Sequence, residues 1–182
     1  MSEIVVLSGS PSKNSRSEFV LEHIGSLLID KGFTVTHLSI RDLPIEVLFH
    51  GDYNHHAVKN IATLIKGAEG VIVGSPVYKA SYSGVLKTLL DILPQDVLED
   101  KPVLPLMTGG STSHLLAMEY ALKPLLATLK GLNLKGVYLE DCQIDKNDSG
   151  SPVSDTKTLD RIVKQVEYFV QIINRKKIKV LQ

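Results

Sequence analysis

The chain has 182 residues, and its 20 Lys and Arg offset its 20 Asp and Glu, so no net field draws it to nucleic acid or to an anionic membrane. At about 100 to 200 residues per domain, residues 1–182 make one domain, large enough to close a core without disulfides or a structural metal. The single cysteine, Cys142, excludes an internal disulfide, and no apolar run approaches the about 18 to 20 residues of a membrane span. The start runs directly into strand-like sequence without a charged leader, so the expected compartment is the cytoplasm.

Five short apolar runs alternate with helix-length amphipathic segments: Ile4 to Leu7, Phe33 to Leu38, Val71 to Val73, Val103 to Met107 and Val137 to Leu139. They lack polar alternation, as strands covered on both faces do, and the gaps between them fit crossover helices. This pattern predicts an α/β fold, a doubly wound five-stranded parallel sheet with helices on both faces. A first helix is expected over Phe19 to Leu28. Three helix stops look alike, Lys31-Gly32, Lys66-Gly67 and Lys130-Gly131, each with a cation in the last turn and a glycine beyond it. Leu43 to Asn60 is the least regular stretch and reads as a mobile connection. Its histidines, His50, His55 and His56, lack a ligand spacing and read as solvated loop residues, so no metal is expected.

Beyond the fourth run, Leu115, Met118, Leu122, Leu125 and Leu129 form an apolar stripe that Leu116, Ala117, Tyr120, Ala121 and Leu126 widen around the helix. Such a helix needs a second burial surface, either inside the monomer or against another subunit. Pro124 has no N–H for the Tyr120 carbonyl, which predicts a bulge or kink there. A last helix is expected over Thr156 to Asn174, with Arg175, Lys176 and Lys177 complementing its dipole.

In an open parallel sheet, ligands bind beyond the carboxyl ends of the strands, which singles out the loops after strands 1, 3 and 4. The first, Gly9-Ser10-Pro11-Ser12-Lys13-Asn14-Ser15-Arg16-Ser17, carries neither the dinucleotide nor the triphosphate glycine fingerprint. Its four serines, Asn14 and Arg16 surround a helix N-terminus, where free N–H groups and the helix dipole suit a phosphate monoester. The bland alternative is that Ser15 and Glu18 only form a capping box. The second loop, Gly74 to Gly84, holds two of the six tyrosines, and its Pro76-Val77-Tyr78 edge could line a flat ring. The third, Thr108 to His114, is built of small residues that let backbone approach a ligand closely.

Three motifs, LSGSPSxxSRS, SPVYKASYSG with its sequel VLKTLLD, and PLMTGGSTSHLLA, make the chain resemble the NADPH-dependent FMN reductases over about residues 3 to 130. Within that family it is most similar to the FMN reductases of two-component alkanesulfonate monooxygenase systems, through Tyr78-Lys79-Ala80 and the helix from His114 to Pro124. The resemblance implies a flavodoxin-like sheet of order 2-1-3-4-5 and hydride transfer from NADPH to FMN, with reduced flavin passed to a monooxygenase. It places the FMN phosphate on Ser10, Ser15, Arg16 and Ser17 and the isoalloxazine against Pro76, Val77, Tyr78, Gly109, Gly110 and Ser111. It also implies a homotetramer with a π-bulge at Tyr120 on its interface. No general acid or base is expected, because the reactivity belongs to the two cofactors.

Other readings are weaker. Ser111 and Ser113 beside His114 suggest a hydrolase nucleophile, but the final glycine of G-x-S-x-G is missing. A receiver module needs acidic residues where this chain has Ser8-Gly9-Ser10 and Gly74-Ser75. A flavodoxin-like electron carrier or an FMN-containing quinone or azo reductase would use the same cradle; carriers of this kind are typically acidic, and this chain is neutral. Cys142 reads as an inert thiol, and Met107 and Met118 as gap-filling core residues.

Overall fold

The computed structural model describes residues 3–147 and 151–180. Strand β1 (Glu3–Ser8) leads through the first loop into α1 (Arg16–Asp30), then β2 (Thr34–Ser39), α2 (Ile45–His50), α3 (His56–Gly67) and β3 (Gly70–Pro76). There follow α4 (Gly84–Ile92), β4 (Pro102–Gly109), a π-helical segment (Met118–Leu122), α5 (Lys123–Thr128), β5 (Leu132–Asn133), β6 (Val137–Glu140) and α6 (Thr156–Val180). The strands pair parallel in the order β2-β1-β3-β4, and both β5 and β6 pair with β4.

Alternate strand residues feed two cores. Val5, Leu7, Val71, Val73, Val103 and Met107 face α3, α4, α5 and the π segment, while Ile4, Val6, Ile72, Leu104, Leu106 and Leu139 face α1 and α6. Burial on both faces is why β1, β3 and β4 read as continuous apolar runs, whereas the edge strand β2 is largely half-exposed and carries Thr34, Thr36 and His37. Met107 and Met118 are both core residues, as expected of gap-fillers.

The expected fifth strand, Val137 to Leu139, is β6, and a two-residue strand, β5, precedes it on the same edge of β4. Val103 pairs with Asn133 but Leu106 with Val137, so the register advances by one residue between β5 and β6, as at a β-bulge. The break lies against Pro105, which has no N–H to donate, and Gly136 there takes φ +80°, with the site of a Cβ only 2.6 Å from Pro105 O. The sheet thus has six strands in five positions.

Three further expectations are corrected. Leu43 to Asn60 is not a mobile connection but holds α2 and the start of α3; Leu43 and Val47 are buried, and His55 Nδ1 caps α3 by accepting from Ala57 N at 3.2 Å. The three helix stops are not alike. Gly32 takes the left-handed conformation, but α3 continues through Gly67, and at the third stop Lys130 has φ +66° while Gly131 serves close packing, its Cβ site 2.8 Å from Val103. Finally, α6 runs on to Val180, so Arg175, Lys176 and Lys177 lie within it; Lys176 Nζ donates to Asp100 O, and Lys177 pairs with Glu69 at 3.6 Å.

Candidate functional site

Because β1, β3 and β4 are adjacent and parallel, the three loops that follow them emerge together at one sheet edge. Hydrogen bonds stitch them to one another. Gly9 N donates to Gly74 O at 2.7 Å, Ser83 Oγ donates to Gly9 O, and Val77 N donates to Thr108 O at 2.7 Å. Gly9 permits the first of these approaches, since a Cβ there would lie 2.8 Å from Leu86 and 3.0 Å from Gly74 O. Ser75 Oγ accepts from Ser83 N at 2.9 Å, closing the second loop on itself.

The first loop ends in a capped helix. Ser15 Oγ accepts from Glu18 N at 3.2 Å and lies 2.9 Å from Ser17 Oγ. Only half of a capping box forms, because the Glu18 carboxylate turns instead to Arg41, with Nη2 to Oε1 at 2.5 Å. Arg41, just beyond β2, also donates from Nη1 to Ser10 O at 3.0 Å and Ser12 O at 3.1 Å. It therefore clamps the loop and neutralises the acid in the first turn of α1. Ser10, Ser15 and Ser17 are each buried and Arg16 is exposed; the Ser10 hydroxyl is engaged within the loop, accepting from Ser12 N at 3.1 Å and donating to Ser12 O at 3.3 Å.

In the second loop, Pro76 pairs with Thr108 in the sheet, and Tyr78 is 48% exposed. Tyr78 and Ser81 exchange backbone bonds of 2.8 and 3.1 Å around Lys79 and Ala80, at φ +49° and +62°. Two non-glycine residues in the left-handed region mark a strained turn beside a site. In the third loop, Gly109 is buried and Ser111 half-buried, while a Cβ on Gly110 would meet nothing nearer than Asp141 at 4.0 Å, leaving its backbone open to approach. Tyr138 of β6 donates its hydroxyl to Ser111 O at 2.5 Å and fixes the loop. Burial pushes the Tyr138 hydroxyl pKa up, reinforced by Glu140 and Asp141, so it remains a donor at neutral pH.

Ser111 Oγ accepts from Ser113 N at 3.2 Å, and His114 Nδ1 is buried without a partner, so the nucleophile–base bond of a hydrolase is not formed through these atoms. The sequence model of the NADPH-dependent FMN reductases matches residues 2–143. The chain belongs to that family. It is similar to the FMN reductase (NADPH) of Pseudomonas putida, at 43% identity over 158 residues, covering 86% of this chain and 80% of that one. It also matches the FMN reductase (NADPH) of Escherichia coli, at 40% identity over 179 residues, covering 97% and 93%. Among solved structures, an NADH:FMN oxidoreductase in its apo form superposes with a TM-score of 0.82 at 32% identity, covering 93% of this chain and 88% of that one. The fold is flavodoxin-like, and the chain is an NADPH-dependent oxidoreductase, with FMN as its substrate or cofactor and NADPH as the reductant.

The residues at the sheet edge fit a phosphorylated flavin. Buried hydroxyls and a helix N-terminus suit the phosphate, and the exposed Gly110 backbone and the partly exposed Tyr78 suit the edge of a ring. Tyr120 lies outside this cluster, on the π segment, and is 78% exposed. Arg41 and Tyr138 were not foreseen, because one reaches the loops from the turn just beyond β2 and the other from β6, and neither stretch carries a motif of its own.

Proposed function

We propose that this reductase holds FMN with its phosphate at the N-terminus of α1, on Ser10, Ser15, Arg16 and Ser17, and its ring between Pro76, Val77, Tyr78 and Gly109, Gly110, Ser111. Bound there, the flavin supplies the acceptor for a hydride from NADPH. The protein's own part is to bind, orient and shield. Arg41 keeps the phosphate loop closed through Ser10 O and Ser12 O. Val77 N and Tyr138 Oη fix the two ring-facing loops through Thr108 O and Ser111 O. The observation that supports the reading is this stitching, which holds the three loops together at one sheet edge, with the capped start of α1 in the first and the Pro76–Tyr78 and Gly109–Ser111 backbone in the other two.

We further propose that reduced FMN leaves for a flavin-dependent monooxygenase such as an alkanesulfonate monooxygenase, in the cytoplasm. The enzyme would act as a homotetramer with Tyr120 at the interface. Leu115 and Leu116 are 42% and 56% exposed beside Tyr120, which supports a covered apolar face. NADPH oxidation by the purified protein tests the release reading. Oxidation that depends on added FMN and saturates with it is the expected result. Yellow protein that reduces a quinone or azo dye without added flavin would instead establish a retained cofactor.

A further inference from the structure

The segment after β6 returns to the first loop. Its base is anchored: Gln143 Nε2 donates to Thr158 Oγ1 at 2.9 Å, Asp145 N to Pro152 O at 2.8 Å and Ser154 N to Gln143 O at 3.1 Å. Ile144 and Val153 form an antiparallel bridge and are buried in the core shared with α1 and α6. From this base Lys146 reaches across, and its Nζ donates to Asn14 O at 3.0 Å, one residue before the N-cap of α1. A cation from residue 146 is thereby set at the mouth of the phosphate loop.

The charge balance there gives this contact a meaning. A phosphate monoester brings about −1.5 to −2 charge and three acceptor oxygens. Arg41 is spent on Glu18 and on two loop carbonyls, so it shapes the loop instead of meeting a ligand. The Lys146 ammonium occupies the Asn14 carbonyl and adds a positive charge beside the start of α1. An ammonium has three N–H donors, and the bond to Asn14 uses one.

We propose that Lys146 is a further phosphate-recognition residue, bridging Asn14 O and the phosphate ester and so making selection for phosphorylated flavin depend on a segment outside the three loops. The inference rests on the FMN reading above. Titration of flavin fluorescence with FMN and with riboflavin, on wild type, Lys146→Met and Lys146→Arg, tests it. Lys146→Met is expected to raise the Kd for FMN about tenfold, and KM for FMN with it, while kcat and the Kd for riboflavin stay unchanged. Lys146→Arg is expected to keep FMN binding within about threefold, since it retains the charge. Equal losses for both flavins would make Lys146 only a tether, and no loss for either would also overturn the proposal. Wild-type protein that binds FMN and riboflavin equally would bring down the phosphate reading itself, and this inference with it.

Discussion

At the scale of single residues, the turn at Lys79-Ala80 shows where stability has been given up. Both residues sit at positive φ within reciprocal Tyr78–Ser81 bonds, the geometry for which hairpin turns ordinarily use Asn-Gly. The left-handed conformation costs a Cβ-bearing residue roughly 1 to 2 kcal/mol, and glycine returns about 0.4 to 1 kcal/mol of that through the unfolded chain. Ala80 is exposed, so its methyl packs against little. Ala80→Gly is therefore expected to raise stability by about 0.5 to 1 kcal/mol, seen as a Tm higher by roughly 1 to 3 °C; a lower Tm would show that the methyl packs where the turn meets the ring site. The turn residues of the site were legible in the sequence because each loop is a local run of Gly, Ser and Pro. What joins the loops was not. Arg41 meets Ser10, Tyr138 meets Ser111 and Lys146 meets Asn14 across long stretches of chain, and no short-range pattern marks such pairs.

At the scale of elements, the bulge at Tyr120 has a local cause. Pro124 cannot donate to the Tyr120 carbonyl, and Lys123 N instead reaches back five residues to Met118 O, the π-helical bond. Ala117, Met118, Leu122 and Leu126 go into the core, while Leu115, Leu116 and Tyr120 stay exposed. The helix is thus apolar on two sides, one covered by its own chain and one open. Light scattering of the wild type is expected to give roughly four times the 20.0 kDa chain mass, and Tyr120→Ala a smaller assembly with more retained flavin. A monomeric wild type, or a variant unchanged in both mass and flavin content, would contradict this. A bulge or kink was readable from Pro124 because helical bonding is local, and the resemblance pointed to its π form. Two other elements were hidden for the opposite reason. Helix α2 buries only Val47 while Ile45 and Phe49 face outward, so it shows no amphipathic period. The break between β5 and β6 depends on Pro105 in the neighbouring strand, a partner across the sheet.

At the scale of the whole molecule, function follows from topology. A parallel sheet of order β2-β1-β3-β4 sends three loops out at one edge, and the sequence of each loop gives the cradle its two ends. The chain carries no net charge, so in the proposed reading selection for a phosphorylated flavin rests on contacts at that edge. The most direct measurement is the affinity of FMN against riboflavin for wild type and for the double variant Ser10→Ala/Arg16→Ala. Losing about two bonds to a charged group costs roughly 3 kcal/mol or more, on the order of a hundredfold in affinity. The account predicts that loss for FMN, with riboflavin, which has no phosphate, held within about threefold; equal losses for the two flavins would contradict it.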